Sequence, residues 1–175
     1  MRMNRYQAGL WLALGAGLAL SACARLPDSA AASTPVVSAP VSPVALPQVL
    51  VHKDPACGCC HLWVEHLRKA GFRVEARDED NLNPIKQRLG VPHGKGSCHT
   101  AEIDGYVIEG HVPAQDIRRL LAERPRARGL VLPGMPAGSP GMELPDGSVS
   151  PYTVELVLLD GSTQAFSQHG GEAAP

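Results

Sequence analysis

Several things are scarce in this sequence, and each scarcity removes a class of function. Aromatic residues make up 4% of the 175 positions, against 18 Gly and 16 Pro. That balance excludes a large ring-filled core and points to a modest one with long punctuated loops. Charge of either sign is not in excess: 16 Lys and Arg stand against 17 Asp and Glu, scattered along the chain, for a net charge of −1. A nucleic-acid footprint needs a basic patch, so nucleic acid is excluded as a partner. No internal repeat is visible. The apolar run from Ala8 to Leu20 falls short of the ~20 residues a bilayer core demands, so no spanning helix is expected there. The length suits one ordinary domain with extras.

Cysteine is also sparse, with five in the chain, yet three of them occupy four consecutive positions in "VLVHKDPACGCCHLWVEHLRKAGF". The other two are Cys23 and Cys98. Cys23 closes "MRMNRYQAGLWLALGAGLALSAC", with Arg2 and Arg5 in a charged head. This is a targeting segment. Its Leu20-Ser21-Ala22-Cys23 end resembles the bacterial lipoprotein cleavage box, which implies cleavage before Cys23 and lipidation of its thiol. An ordinary secretory signal with an incidental cysteine is the alternative. Ala24, where an Asp would signal inner-membrane retention, favours the outer membrane under the same resemblance.

Four cysteines then remain, and an exported even set ordinarily reads as two disulfides. The spacing objects, because adjacent Cys59 and Cys60 rarely meet disulfide geometry without strain. A Cys57–Cys60 bridge is feasible, leaving Cys59 to pair with Cys98 or stay free.

The rest of the chain divides by composition. Residues 1–22 are the signal peptide and 23–47, rich in Ala, Ser, Val and Pro, a flexible tether. Residues 48–169 are the folded domain and 170–175 a tail. "PQVLVHKD" reads as a strand. "CGCCHLWVEHLRKAG" reads as a helix, with Leu62, Trp63, His66, Leu67 and Ala70 at helical spacing and Gly71 as its stop. "FRVEARDE" is a second strand. "LNPIKQRLG" is a short helix between Pro84 and Gly90. "TAEIDGYVIEGH" is a hairpin about a "DG" turn, and "VPAQDIRRLLAERP" a helix. "GLVLPGMPAGSPGMELPDGS" reads as a loop, and "YTVELVLLDGSTQAF" as a last strand able to form a hairpin or extend the sheet edge. The order β-α-β-α-β-β-α with a Gly/Pro-rich extension predicts an α/β (α+β) mixed sheet of the thioredoxin-like kind.

That topology gathers the distant cysteines. The first strand runs into the cysteine-bearing helix start. The third strand, antiparallel to it, begins at the same edge, where Cys98 stands, and the fourth ends there, at His111. The unpaired N–H groups and dipole of a helix start favour anions by ~0.3–1 kcal/mol per charge. Thiols there can ionise with pKa values of about 3.5–7.5. Several thiolates at one place repel one another, and a soft cation relieves this. Soft thiolates select Cu(I), Zn or iron–sulfur clusters. Zinc prefers four separate ligands, commonly from two C-x₂₋₄-C pairs, and adjacent Cys59 and Cys60 are expected not to point readily at one ion. Bridging of several Cu(I) ions suits them better, and the spacing disfavours an iron–sulfur cluster.

The motifs "CGCC…GSCHTAEIDGYVIEGHVP…GLVLPGMPAGSPGME" resemble the CGCC family of periplasmic metal-binding proteins, which includes the CopG-like copper-resistance proteins. The resemblance covers roughly residues 48–169. It implies a thioredoxin-like fold, copper bound through Cys57, Cys59, Cys60 and Cys98, and a role in copper resistance, with Cu(I)/Cu(II) interconversion as a proposed activity of the family. The implied partners are copper ions and other periplasmic copper-handling proteins, with the membrane met through the lipid anchor alone.

Two other readings stand beside this one. The first is a thiol–disulfide oxidoreductase using Cys57-Gly58-Cys59-Cys60 as C-x-x-C. Against it, Ser97-Cys98-His99 occupies the position where such an enzyme carries a cis-proline. The second is a zinc-binding module. Cys98 could also pack as a small hydrophobe. Of the histidines, His111 is the best imidazole ligand. His99 ranks lower, because strand alternation is expected to turn it from Cys98. His52 and His93 read as loop polar groups, and His61 and His66 as helix-surface or core-edge residues. Met135 and Met142 are weaker thioether ligands, read first as hydrophobic closure of the loop. Trp63 reads as core.

Overall fold

Alternation along β1 (Gln48–Lys53) seeds the sheet: Val49 and Val51 are fully buried on one face, while Leu50 and His52 point to the other. The computed structural model describes residues 45–171, all within the unit Ser42–Pro175. The expected signal segment, lipidation site Cys23, tether up to residue 44 and residues 172–175 lie outside the described residues.

Among the described residues seven strands, β1, β2 (Arg73–Asp78), β3 (His99–Ile103), β4 (Tyr106–Glu109), β5 (Ala127–Val131), β6 (Tyr152–Leu158) and β7 (Thr163–His169), form one mixed sheet in the order β2-β1-β3-β4-β5-β6-β7. β1 pairs parallel with β2 and antiparallel with β3. β3 turns through Asp104 and Gly105 into β4. The described residues hold three helices: α1 (Gly58–Lys69), α2 (Asn83–Leu89) and α3 (Ala114–Glu123). This succession matches the expected β-α-β-α-β-β-α. Beyond it, β5 pairs parallel with β4, and β6 and β7 complete the sheet as an antiparallel hairpin. The expected loop therefore begins later than its composition suggested. "GLVL" lies mostly in a strand, with Leu130 and Val131 fully buried. Four apolar residues beside a Pro/Gly-rich run are too few to show a period.

The two faces of the sheet are covered differently. Trp63, Val64 and Leu67 of α1 and Ile117 and Leu120 of α3 share one core with Val49, Val51, Ala101, Ile103 and Ile108. The i, i+3, i+4 spacing supplies that stripe. Leu62, expected within it, is instead 54% exposed. On the other face the register aligns Leu50 with Glu102, His52 with Thr100, and Thr100 with Glu109. α2 lies against this face with no buried residue of its own and reaches it through Lys86 and Arg88. Among the described residues no helix is long and apolar enough to cross a membrane.

Candidate metal centre

The carboxyl end of β1 leads through a short turn into α1, where Cys57 is the N-cap. Its backbone is extended (φ −80°, ψ 99°), and its sulfur accepts the Cys60 N–H at 3.3 Å. The first turn of α1 carries no acidic side chain, whereas His66, Arg68 and Lys69 occupy the last. The positive end of the dipole thus faces sulfur and no carboxylate of its own helix. Asp54 N–H donates to the Cys98 carbonyl at 3.2 Å and joins this turn to the start of β3.

Four sulfurs converge there. Cys98 Sγ lies 3.0 Å from Cys57 Sγ and 3.1 Å from Cys60 Sγ, and Cys57 Sγ lies 3.4 Å from Cys59 Sγ. All four Sγ atoms fall within 4.8 Å of one another, a grouping that could hold a metal ion. Cys57 and Cys60 are joined as a disulfide, while Cys59 and Cys98 are free thiols. The expectation that Cys59 and Cys60 diverge is not met. Because Cys57 folds back over the first turn to cap it, its sulfur meets both of theirs.

Cys98 stands on the loop opposite the helix start, and its thiol is not lowered. Burial first, and then the neighbouring Cys59, push it up to about 11, with Lys86 pulling the other way. Thiols this close cannot all ionise unless a cation lies among them.

A nitrogen side adjoins the sulfurs. One ring nitrogen each of His99 and His111 lies with Cys98 Sγ in a second group within 4.8 Å. His99 Nε2 donates to the Gly110 carbonyl at 3.0 Å, and His111 Nδ1 donates to the Pro140 carbonyl at 2.7 Å. The remaining nitrogens, His99 Nδ1 and His111 Nε2, are buried with no hydrogen-bond partner. Each neutral ring therefore carries a bare lone pair. Burial, helped by the nearby His111, holds His99 down to about 3. Burial also lowers His111, against the pull of the Pro140 carbonyl and Glu143. The expectation that strand alternation turns His99 from Cys98 is not met. Alternation places it on the α1 face, its ring centroid 4.5 Å from that of Trp63, while Cys98 precedes the strand and is not bound by that alternation.

Two glycines permit this packing. Gly110 (φ +79°) turns the chain after β4, where a Cβ would come within 2.4 Å of the Leu132 carbonyl oxygen. Gly141 (φ +85°) lets the β5–β6 loop rest on the site, where a Cβ would meet Cys59 O at 2.8 Å and Trp63 N at 2.9 Å. In the same loop Met142 is half-buried, but Met135 is 49% exposed, so Met135 does not act as hydrophobic closure. His52, expected in a loop, is a buried β1 residue paired with Glu79 at 2.7 Å. His61 and His93 are exposed, and His66 is half-buried. The sequence reading missed Lys86, Ser97, Thr100 and Glu109, a hydrogen-bonded group that surrounds Cys98 in the chain. A clue lay in the chemistry: Glu109 alternates onto a covered sheet face and needed a partner.

Residues 95–142 match the family described as "Protein of unknown function, DUF411". The chain is also similar to two solved structures, titled "Copper resistance protein copG- Form 1" and "Copper resistance protein copG- Form 2". Each is 44% identical with a TM-score of 0.67, over 71% of this chain and 99% and 98% of theirs. No curated protein matches.

Proposed function

The chain belongs to the CopG-like copper-resistance family, and on that premise we propose that it binds copper in the service of copper resistance. The observation that carries this reading is the convergence of four cysteine sulfurs within 4.8 Å at a helix start. Soft sulfur donors with adjoining imidazole nitrogens suit copper. Cys57, Cys59, Cys60 and Cys98, reduced, hold Cu(I) as cargo, with more than one ion sharing the sulfurs. His111 Nε2 and His99 Nδ1 offer the nitrogen ligands, and half-buried Met142 is a weaker thioether candidate. One-electron exchange between Cu(I) and Cu(II), with other periplasmic copper-handling proteins as partners, extends the reading. The strand order β2-β1-β3-β4 supports a thioredoxin-like scaffold. The domain works in the periplasm, tethered through lipidated Cys23 to the outer membrane.

Anaerobic titration of the reduced full chain with Cu(I), against a chromophoric chelator, tests this. More than one tightly held ion per chain is expected. A single zinc ion held with no preference for copper would replace it with a zinc module. The Cys57–Cys60 disulfide favours a second reading, a thiol–disulfide oxidoreductase. Metal-independent turnover of a disulfide substrate would establish that reading, and Cys98→Ser separates the two. The substitution lowers copper stoichiometry under the first and barely alters turnover under the second.

A further inference from the structure

Glu109 ends β4 at 1% exposure, on the sheet face that α2 covers. Its Oε1 accepts Lys86 Nζ at 2.6 Å and also the Ser97 backbone N–H, and it lies 2.7 Å from Ser97 Oγ. Its Oε2 accepts the Thr100 hydroxyl at 2.6 Å. Lys86 Nζ donates further to Thr100 Oγ1 at 2.6 Å and to the His99 carbonyl at 3.3 Å. The ammonium's three protons thus have three acceptors. Ser97 Oγ is also 2.7 Å from the His99 carbonyl. Every partner flanks Cys98 in the chain: Ser97 precedes it, and His99 and Thr100 follow. Cys98 itself is tied to the helix-start turn through the bond from Asp54 N–H.

A buried ion pair is a poor device for stability alone, since well-packed apolar residues serve as well or better. Here the pair sits where position matters. Metal-binding constellations must be held within roughly 0.5 Å of their working geometry. Of the four cysteines, Cys98 alone is far in the chain from the α1 start, where Cys57 is the N-cap and Cys59 and Cys60 stand in the first turn. We propose that Lys86 and Glu109 are positioning residues that clamp the chain on both sides of Cys98, holding its sulfur against the three helix-start sulfurs and so deciding how many copper ions the site retains. This rests on the copper reading above.

The test uses the full chain, reduced and anaerobic, titrated with Cu(I) against a chelator and followed by copper–thiolate luminescence. Lys86→Met and Glu109→Gln each strand a buried charge or polar group, and both should lower the unfolding midpoint. The double variant removes the charge imbalance and should recover much of that midpoint. Its most weakly held ion should nevertheless bind at least about tenfold less tightly, with stoichiometry and emission moving towards those of Cys98→Ser. A folded double variant with unchanged stoichiometry, affinity and emission overturns the proposal and leaves a merely structural pair. Should the double variant not fold, Ser97→Ala decides. It keeps the ion pair but loses one arm of the clamp, so a several-fold loss of copper affinity supports the proposal and an unchanged affinity refutes it. Failure of the copper reading itself would show in the unsubstituted chain, as one copper ion or none.

Discussion

Beneath α1, β3 and β4 present Ala101, Ile103, Ile108 and the neutral ring of His99; beneath α2 the same two strands present Thr100, Glu102 and Glu109. The first face is held by burial. Trp63 is fully buried, and its indole N–H donates to the Val112 carbonyl at 2.9 Å. The second face is held by directed, charge-assisted bonds from a helix that buries no residue. Burial is non-directional and scales with area, whereas a charge-assisted bond is sensitive to position and adds little net stability once desolvation is counted. Most of the burial thus lies on the α1 side of the sheet, and the clamp on Cys98 on the α2 side.

Substitutions on each face can break or sharpen that contrast. The largest effect belongs to Trp63→Ala, which should cost about 3–5 kcal/mol in urea unfolding; a cost below about 1 kcal/mol would mean that the α1 face is not the stabilising one. Gly141→Ala comes next. Its φ of +85° and the Cys59 carbonyl 2.8 Å from the new Cβ should cost about 1–3 kcal/mol. The same variant should weaken Cu(I) binding by competition titration, because the loop must lift from α1.

A pH effect follows, smaller than either. Burial lowers His66, opposed by Glu143 and aided slightly by Lys69, and its Nε2 accepts the Ala114 N–H at 3.1 Å. The folded chain thus prefers the neutral ring. The unfolded chain takes up the proton first, so this contribution is present above about pH 6.5 and is lost as pH falls towards the folded value. His66→Gln keeps an acceptor for Ala114 and should flatten the decline of unfolding free energy from about pH 7 to about pH 5. Least of all, Arg88→Ala on the α2 face should leave the unfolding midpoint unchanged within error. Its bond to Glu102 at 3.0 Å is solvent-exposed and screened. A clear loss there would show that the α2 face also stabilises the fold.

Much of this was legible in local pattern. Val49 and Val51, the turn at Asp104 and Gly105, the stop at Gly90 and the helix start at Cys57 each rest on a few adjacent residues whose chemistry leaves little choice. From these, strand direction alone carries Cys98 and His111 to the edge where α1 begins. β5 was not legible, because "GLVL" is too short to declare a period. Nor was the burial of His52, whose partner Glu79 lies in the chain after β2.

By itself the sequence determined the elements up to α3, their order and hence which sulfurs share an edge, because backbone preference and apolar period act over a handful of residues. Tertiary structure alone decided that His99 and His111 keep buried nitrogens bare, that Gly141 rests on the Cys59 carbonyl, and that Lys86 finds Glu109 across 23 residues of chain. Those outcomes depend on which side chains desolvate one another across packed elements. A buried polar atom takes whatever partner the fold brings near, and no local pattern names that partner in advance.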